Sequence, residues 1–354
     1  MSMSEPAPRP AIMHDVARLA GVSHQTVSRV LNNHPNVREA TRERVQQAIR
    51  QLNYRPNALA RGLVTRRSRT IGVISFDTRL FGPASTLLGV EHAARAAGYA
   101  VTISSLANLD ATSVRSAVAA LAGQPVDGAI VIAPREGAAQ GLRDLRPGLP
   151  LVAVEAGYSG ETPVVSVDQF SGARLATEHL LSLGHRTVWH IAGPADWLEA
   201  RERIEGWRAS LADSGAAAPP LLRGDWSPES GYRAGLDLAD NPEVTAVFAA
   251  NDQMALGVMH AFYERDLRVP ADISIVGFDN IPESEFLTPS LTTVHQDFDE
   301  VGRRGLKLLV GIMEGDSERA SQPERVPATL VARQSSAPPR PSRGRRAVRR
   351  RRGS

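Results

Sequence analysis

Apolar residues recur at helical spacing three times between residues 13 and 53. Val16, Leu19 and Ala20 share one side of a first helix. Val27, Val30 and Leu31 line a second, and Val45, Ala48, Ile49 and Leu52 a third. Gly21-Val22-Ser23 separates the first two, and Ser23 is placed to cap the second. On that second helix His24, Gln25, Ser28 and Arg29 gather opposite the apolar stripe. Pro56 stops the third helix and Asn57 is placed to cap a short new one; Arg66, Arg67, Ser68 and Arg69 then read as a linker.

From Thr70 the period changes. Strand-like runs (TIGVIS, YAVTIS, GAIVIA, LVAVEA, VVSV, TVWHIAG, AVFAA and ISIVGF) alternate with helical patterns at 86–97, 111–122, 171–183, 199–213, 229–239, 252–265 and 299–313. Such alternation predicts parallel sheets with helices on both faces, and so many strands predict two sheets. The stretch TTVHQDFDEVG (292–302) would return the chain to the first lobe. Residues 1–10, Pro-rich, and the Pro/Arg-rich tail from 335 read as disordered.

Composition narrows the function. The 354 residues suffice for more than one domain, and a 42% hydrophobic content is that of a globular protein. No cysteine is present, which excludes disulfides and thiolate metal sites. No apolar run opens the chain and none spans a bilayer, so neither a signal peptide nor a membrane partner is expected and the expected location is cytoplasmic. The net charge of +3 is unevenly spread. The first 70 residues hold a net +8 and the tail from Arg340 another +8, leaving −13 on the middle. A basic head on an acidic body predicts that the ends meet a polyanion.

Helix, Gly turn and helix form the helix-turn-helix pattern, whose second helix lays its N-terminal side chains against base edges in the major groove. Gln pairs bidentately with adenine and Arg with guanine. The competing reading, a merely solvated face, sits less well with the Gly turn, the apolar spacing and the local charge.

In open α/β sheets, ligands bind beyond the carboxyl ends of the strands. Here those ends hold Glu155, the loop before Arg201, Asn251 with Asp252, and Asp279. Carboxylates, an amide and an arginine suit bidentate recognition of sugar hydroxyls, and Trp226 offers a flat face for a pyranose ring. Each residue taken alone also fits a turn, a cap, a solvated charge or ordinary packing. No G-x-S-x-G, P-loop, H-E-x-x-H or dinucleotide fingerprint is present, so neither an enzyme nor a cofactor is expected.

DVARLAGVSHQTVSRVLN, NALARGL, AANDQMALG, IVGFDN, LTTVHQDF and GDWS closely resemble LacI/GalR-family transcriptional regulators, most of all the lactose-repressor branch, from about residue 12 to 333. The resemblance implies an all-α helix-turn-helix headpiece with a hinge helix, then a two-lobed α/β core like that of periplasmic binding proteins. It implies DNA contacts from Ser23, His24, Gln25, Thr26, Ser28, Arg29 and Asn32, with His24, Gln25 and Arg29 reading bases. Hinge contacts fall on Asn57, Ala60, Arg61 and Leu63, the leucine as a minor-groove wedge. The effector site falls on Leu80 and Pro83 at the cleft floor, and on Arg201, Trp226, Asn251, Asp279 and Gln296. Three positions depart from the branch: Glu155 stands for a shorter Asp, Phe76 for a small Ser, and Trp197 for a small loop residue. The stretch VDQFSGA departs as well.

The expected organisation is therefore a disordered 1–10, a DNA-binding domain at 11–56, and hinge and linker at 57–69. A two-lobed effector and dimerisation domain follows at 70–334: lobe one about 70–166 and 297–325, lobe two about 167–296 and 326–334. An Arg-rich tail at 335–354 ends the chain. The expected function is a repressor whose affinity for a near-palindromic operator DNA is lowered by a small sugar, a galactoside or related glycoside. A different sugar, a non-sugar effector or an activator role remain alternatives, and a sugar transport protein fits the body but not the head. The tail has no leucine heptads, which predicts a homodimer rather than a tetramer. Its arginines add phosphate attraction or serve as a passive solubilising tail.

Overall fold

A computed structural model describes residues 11–31, 34–54, 67–76, 78–108, 110–143, 145, 148–155, 162–316 and 323–340. The chain divides into two compact units, residues 1–68 and 69–354.

The first unit contains α1 (Met13–Ala20), α2 (His24–Leu31) and α3 (Glu39–Gln51). Val16, Val27 and Val45 form its centre, closed by Ala17, Ala20, Val30, Ala48 and Tyr54. Leu19, expected on the apolar side, is 50% exposed. The buried stripe of α1 runs through Val16, Ala17 and Ala20, which leaves Leu19 on its flank.

The second unit is built on two parallel sheets. The first contains β1 (Thr70–Phe76), β2 (Ala100–Leu106), β3 (Gly128–Ile132), β4 (Leu151–Val154), β5 (Val164–Val167) and β11 (Glu324–Val326), in the order β11-β5-β4-β3-β1-β2. Alternate residues point to opposite faces. Ile71, Val73, Ile130 and Val152 meet α4 (Phe81–Ala96) and α11 (Phe298–Met313). Ile74, Ala129, Val131 and Ala153 meet α5 (Ala111–Ala122) and α6 (Glu136–Arg143). Helix α4 begins five residues before the expected 86 because Pro83 fits a first helical turn. Helix α6, short and rich in Ala and Gly, gave no periodic signal.

The second sheet contains β6 (Trp189–Ala192), β7 (Leu222–Arg223), β8 (Ala246–Ala249) and β9 (Ser274–Val276), in the order β7-β6-β8-β9. Helices α7 (Gln169–Ser182) and α8 (Leu198–Asp213) cover one face, with Trp207 and Phe248 at the contact. Helices α9 (Pro228–Ala239) and α10 (Asp252–Glu264) cover the other, with Phe262 and Val247. A small antiparallel pair, β10 (Thr293–His295) with β12 (Thr329–Val331), completes this lobe.

The chain passes between the lobes three times, after Val167, after Gln296 and after Val326. These crossings are laced together. The Asp168 amide donates to the Val326 carbonyl at 2.8 Å, and Gln169 Nε2 donates to Gln296 Oε1 at 2.7 Å.

Candidate functional site

In the headpiece, Gly21 takes a left-handed φ of +63°, the turn that separates α1 from α2. The Thr26 amide donates to Ser23 Oγ at 3.2 Å, so Ser23 caps α2. Val27 and Val30 are buried; His24, Gln25 and Arg29 are exposed, with Thr26 and Ser28 half-buried beside them. The three long polar side chains thus share the face of α2 turned away from the core. Asn32, Asn57, Ala60, Arg61 and Leu63 lie outside the described residues.

In the body, the carboxyl ends of both sheets and the N-termini of α4, α8, α9 and α10 border one open cleft of about 170 Å³. Leu80 and Pro83 line it from the first lobe; Trp197, Trp226, Asn251, Asp279 and Gln296 line it from the second and from the crossing. Two tryptophans form one wall, Trp197 and Trp226 meeting edge to face with centroids 5.4 Å apart. A Cβ on Gly193 would overlap the Trp226 indole, so only glycine leaves room for that ring. Asn251 Oδ1 caps α10 by accepting the Met254 amide at 2.9 Å, while its Nδ2 donates to the Trp226 carbonyl at 3.1 Å. Gln296 Nε2 donates to Asp279 Oδ1 at 2.6 Å. Asp279 sits at φ +112° and Trp226 at +74°, left-handed values that side-chain-bearing residues seldom hold without a surrounding structure to enforce them. For Asp279 the enforcing groups are the Gln296 amide and the neighbouring Asp252, whose oxygens accept from Ile281 N, Ser284 Oγ and Thr293 Oγ1.

Three residues that the resemblance placed in this cleft do not line it. Arg201 is exposed on the outer side of α8, where Nη2 meets Glu136 Oε2 at 2.6 Å and Nε the Ala195 carbonyl at 2.7 Å. The cleft arginine is Arg203, 2% exposed. Two residues apart on a helix is about 200°, so only one of the pair faces inward. Phe76 is buried behind the wall, its ring 6.4 Å from that of Trp197 and under the Arg135 guanidinium. Glu155 points into a separate small cavity with Ser166, Gln169, Leu198, Glu199, Glu202 and Arg325, where the crossings run.

Arg203 is the centre of the polar wall. Its Nε donates to Gln169 Oε1 at 2.8 Å and its Nη1 to the Ala250 carbonyl. Its Nη2 stands 3.8 Å from Glu199 and 3.9 Å from Asp279. Glu199, also missed from the sequence, lines the cleft with a side chain 14% exposed. Burial pushes its carboxyl up to about 7, against the pull of Arg203. Burial likewise raises Asp279, opposed by Arg203 and reinforced by Asp252 and Glu199. The cleft therefore presents hydrogen-bonding groups of both polarities on a dry aromatic wall.

The loop holding Trp197 also joins the lobes. Arg135 and Trp197 form an antiparallel bridge, the Glu136 amide donates to the Asp196 carbonyl at 3.0 Å, and the Leu198 amide donates to the Pro134 carbonyl at 2.9 Å. Arg135 Nε adds a 2.6 Å bond to Asp196 Oδ2. Among the described residues no cluster suits a metal ion, and no helix is long and apolar enough to cross a membrane.

A helix-turn-helix unit joined to a two-lobed body with a polar cleft defines a DNA-binding regulator that carries a ligand-binding domain. Residues 12–57 match the family described as bacterial regulatory proteins, lacI family, and residues 177–336 match a periplasmic binding protein-like domain. The chain is 35% identical to the lactose operon repressor of Escherichia coli (strain K12), over 94% of this chain and 92% of that protein. It is 36% identical to the ribose operon repressor of the same strain, over 85% of this chain and 92% of that protein. The structure resembles that of the lac repressor dimer bound to operator and the anti-inducer ONPF, with a TM-score of 0.83 at 34% identity, covering 93% of this chain and all of that one. The chain belongs to the LacI family.

Proposed function

We propose that this repressor acts as a homodimer on a near-palindromic operator and is released by a small sugar, a galactoside or related glycoside, bound between its lobes without turnover. The observation behind the sugar reading is the cleft itself. A Trp197–Trp226 wall stands beside Arg203, Asp279, Gln296 and Asn251, which together supply donors and acceptors for neighbouring hydroxyls. The lactose and ribose operon repressors, named for sugar operons, point the same way. Glu199 and Trp197 favour a second reading, a sugar of another shape, since both fill space in the cleft.

His24, Gln25 and Arg29 are assigned to base edges, Ser23, Thr26, Ser28 and Asn32 to the adjoining backbone. Asn57, Ala60, Arg61 and Leu63 belong to the hinge, with Leu63 as wedge. Such a wedge favours an operator with an easily unstacked pyrimidine–purine step at its centre. Coupling between the two sites is reciprocal and typically worth about 1–3 kcal/mol. The route suggested by the geometry is the Trp197 loop, whose side chain faces the ligand and whose backbone bridges to Arg135 of the other lobe. A repressor of this kind works in the cytoplasm.

The test is fluorescence anisotropy on DNA from upstream of the chain's own gene, at fixed salt, titrated with galactosides, glucosides and pentoses. Release by one sugar supports the reading and names the inducer. DNA binding undisturbed by the whole panel removes the sugar assignment and leaves the repressor.

A further inference from the structure

The strong donors of the cleft are engaged within its own wall. Arg203 gives Nε to Gln169 and Nη1 to the Ala250 carbonyl. Asn251 gives Nδ2 to the Trp226 carbonyl and, at 2.9 Å, to Gln253 Oε1, and Gln296 gives Nε2 to Asp279. A ligand acceptor that reaches these groups has to share those bonds. The Gln253 amide and the tryptophan indoles are further donors, all of them neutral. Arg79, the other arginine of the lining, is exposed, where solvent screens its charge.

The open capacity is that of acceptors. Among the described residues Glu199 has no donor within hydrogen-bonding distance, Arg203 standing 3.8 Å off. Asp279 takes the Gln296 amide on Oδ1 and leaves Oδ2 without a partner among the described residues. Both carboxyls stand beside the same nitrogen of Arg203, so they flank one stretch of the cleft. Helix N-termini also border it, and such termini favour anions. Three of the four already carry an acid in the first turn: Glu199 on α8, Glu229 on α9 and Asp252 on α10.

Behind Glu199 the surplus of carboxyls continues. Arg325 is committed to Glu202 through bonds of 2.8 and 2.9 Å, and neither carboxyl oxygen of the buried Glu155 has a partner. Three enclosed carboxyls, Glu155, Glu199 and Asp279, thus stand around the guanidinium of Arg203. Burial without a matching cation raises all three. The aromatic wall adds its own attraction for positive charge: the Arg203 guanidinium already lies 5.5 Å from the centroid of Trp226.

We propose that the ligand carries a protonated amine, an amino sugar being the class that fits, held by Glu199 and Asp279 beside the tryptophan wall. The ring supplies the stacking body and the ammonium supplies the cation that the carboxyls lack. The proposal rests on the sugar reading above.

The experiment uses the full chain. The probes are methyl galactoside and methyl glucoside, their 2-amino and 6-amino counterparts, the N-acetyl forms of those, and the matching uronates, with affinity read by titration calorimetry at pH 7. An amino sugar should bind at least about tenfold more tightly than its hydroxyl parent, as a charge-assisted contact does over a neutral one, and N-acetylation should erase the gain. Glu199→Gln should bring the ratio of the two affinities to within about threefold. At pH 5, with Glu199 protonated, the ratio in the parent chain should shrink at least about fivefold, since one linked proton is worth up to tenfold per pH unit. Hydroxyl sugars bound as tightly as the amines, or uronates bound more tightly, would overturn the proposal and keep the sugar reading. A preference for the amine that survives in Glu199→Gln would overturn the placement. Binding by no member of the panel would remove the sugar reading and the proposal with it.

Discussion

The guanidinium of Arg203 lies 3.9 Å from the ring centroid of Phe278 while its Nε donates to Gln169 at 2.8 Å. One face of the cation is dry, and its edge is fixed by a residue of the first crossing. Arginine suits this position because its planar fork stacks and donates at once, which a lysine ammonium does not.

Replacing Arg203 by Ala leaves Gln169 Oε1 and the Ala250 carbonyl without their donor and Glu199 and Asp279 without the neighbouring cation, and breaking a buried charge cluster costs about 3–5 kcal/mol. Arg203→Ala should therefore lose stability in thermal unfolding. Arg203→Lys should stay folded yet lose most of the ligand-induced release from DNA. Arg201→Ala should leave that release intact, since its guanidinium is bound to Glu136 and Ala195 outside the cleft. A silent Arg203→Lys beside a defective Arg201→Ala would reverse the assignment.

Gly193→Ala puts a methyl where the Trp226 indole lies. Overpacking of this kind costs about 1–3 kcal/mol. Ligand affinity should fall further than stability, because the displaced ring is a wall of the site; titration calorimetry with the identified inducer gives the ratio.

Glu199 has a pH signature. Its carboxyl is raised from 4.5 to about 7 by burial. The folded chain keeps a proton that the unfolded chain releases near 4.5, so this residue's contribution to stability falls as pH rises from about 4.5 to 7. Glu199→Gln should match the parent at pH 5 and melt higher than it at pH 8. Unchanged melting temperatures across that window would contradict the raised carboxyl.

In the headpiece, Gln25→Ala and Arg29→Ala should each weaken operator binding by about 1–3 kcal/mol and relax preference at one base pair. Ser23→Ala should instead cost about 1 kcal/mol of headpiece stability through the lost cap on α2. Operator-variant binding curves separate the two effects.

Arg135→Ala removes the guanidinium that ties the first lobe to Asp196 and leaves the backbone bridge to Trp197 in place. Sugar affinity should hold within about threefold while the change in operator affinity on saturation shrinks, as expected of a coupling energy of about 1–3 kcal/mol. Full coupling in this variant would move the route away from the Trp197 loop.

Much of this architecture is legible in the sequence because its period changes cleanly at Thr70, and because parallel strands buried on both faces read as unbroken apolar runs. Helix α6 is not legible: Ala and Gly dominate it, and its burial comes from α5 and the sheet above it. Arg201 and Arg203 show where family resemblance alone falls short. The stripe Ala200, Ile204, Trp207 and Leu211 passes beside Arg203 and leaves Arg201 outside, a signal present in the sequence at helical spacing. Glu155 is different. Its strand-end position suggests the cleft, but its left-handed φ of +54° and the neighbouring crossings turn it into the small cavity, and no pattern along the chain announces that.

The three laced crossings also set how the lobes are free to move. Two bodies joined by one strand keep nearly every rotation; joined by three strands that hydrogen-bond to one another, they keep little more than a single pivot through Asp168, Gln296 and Val326. A ligand that wedges or draws in the cleft therefore acts on a lever. Its fulcrum is the Gln169–Gln296 bond, and one of its arms ends at Arg69, at the amino end of β1, so that a tilt at the pivot is carried to the start of the body.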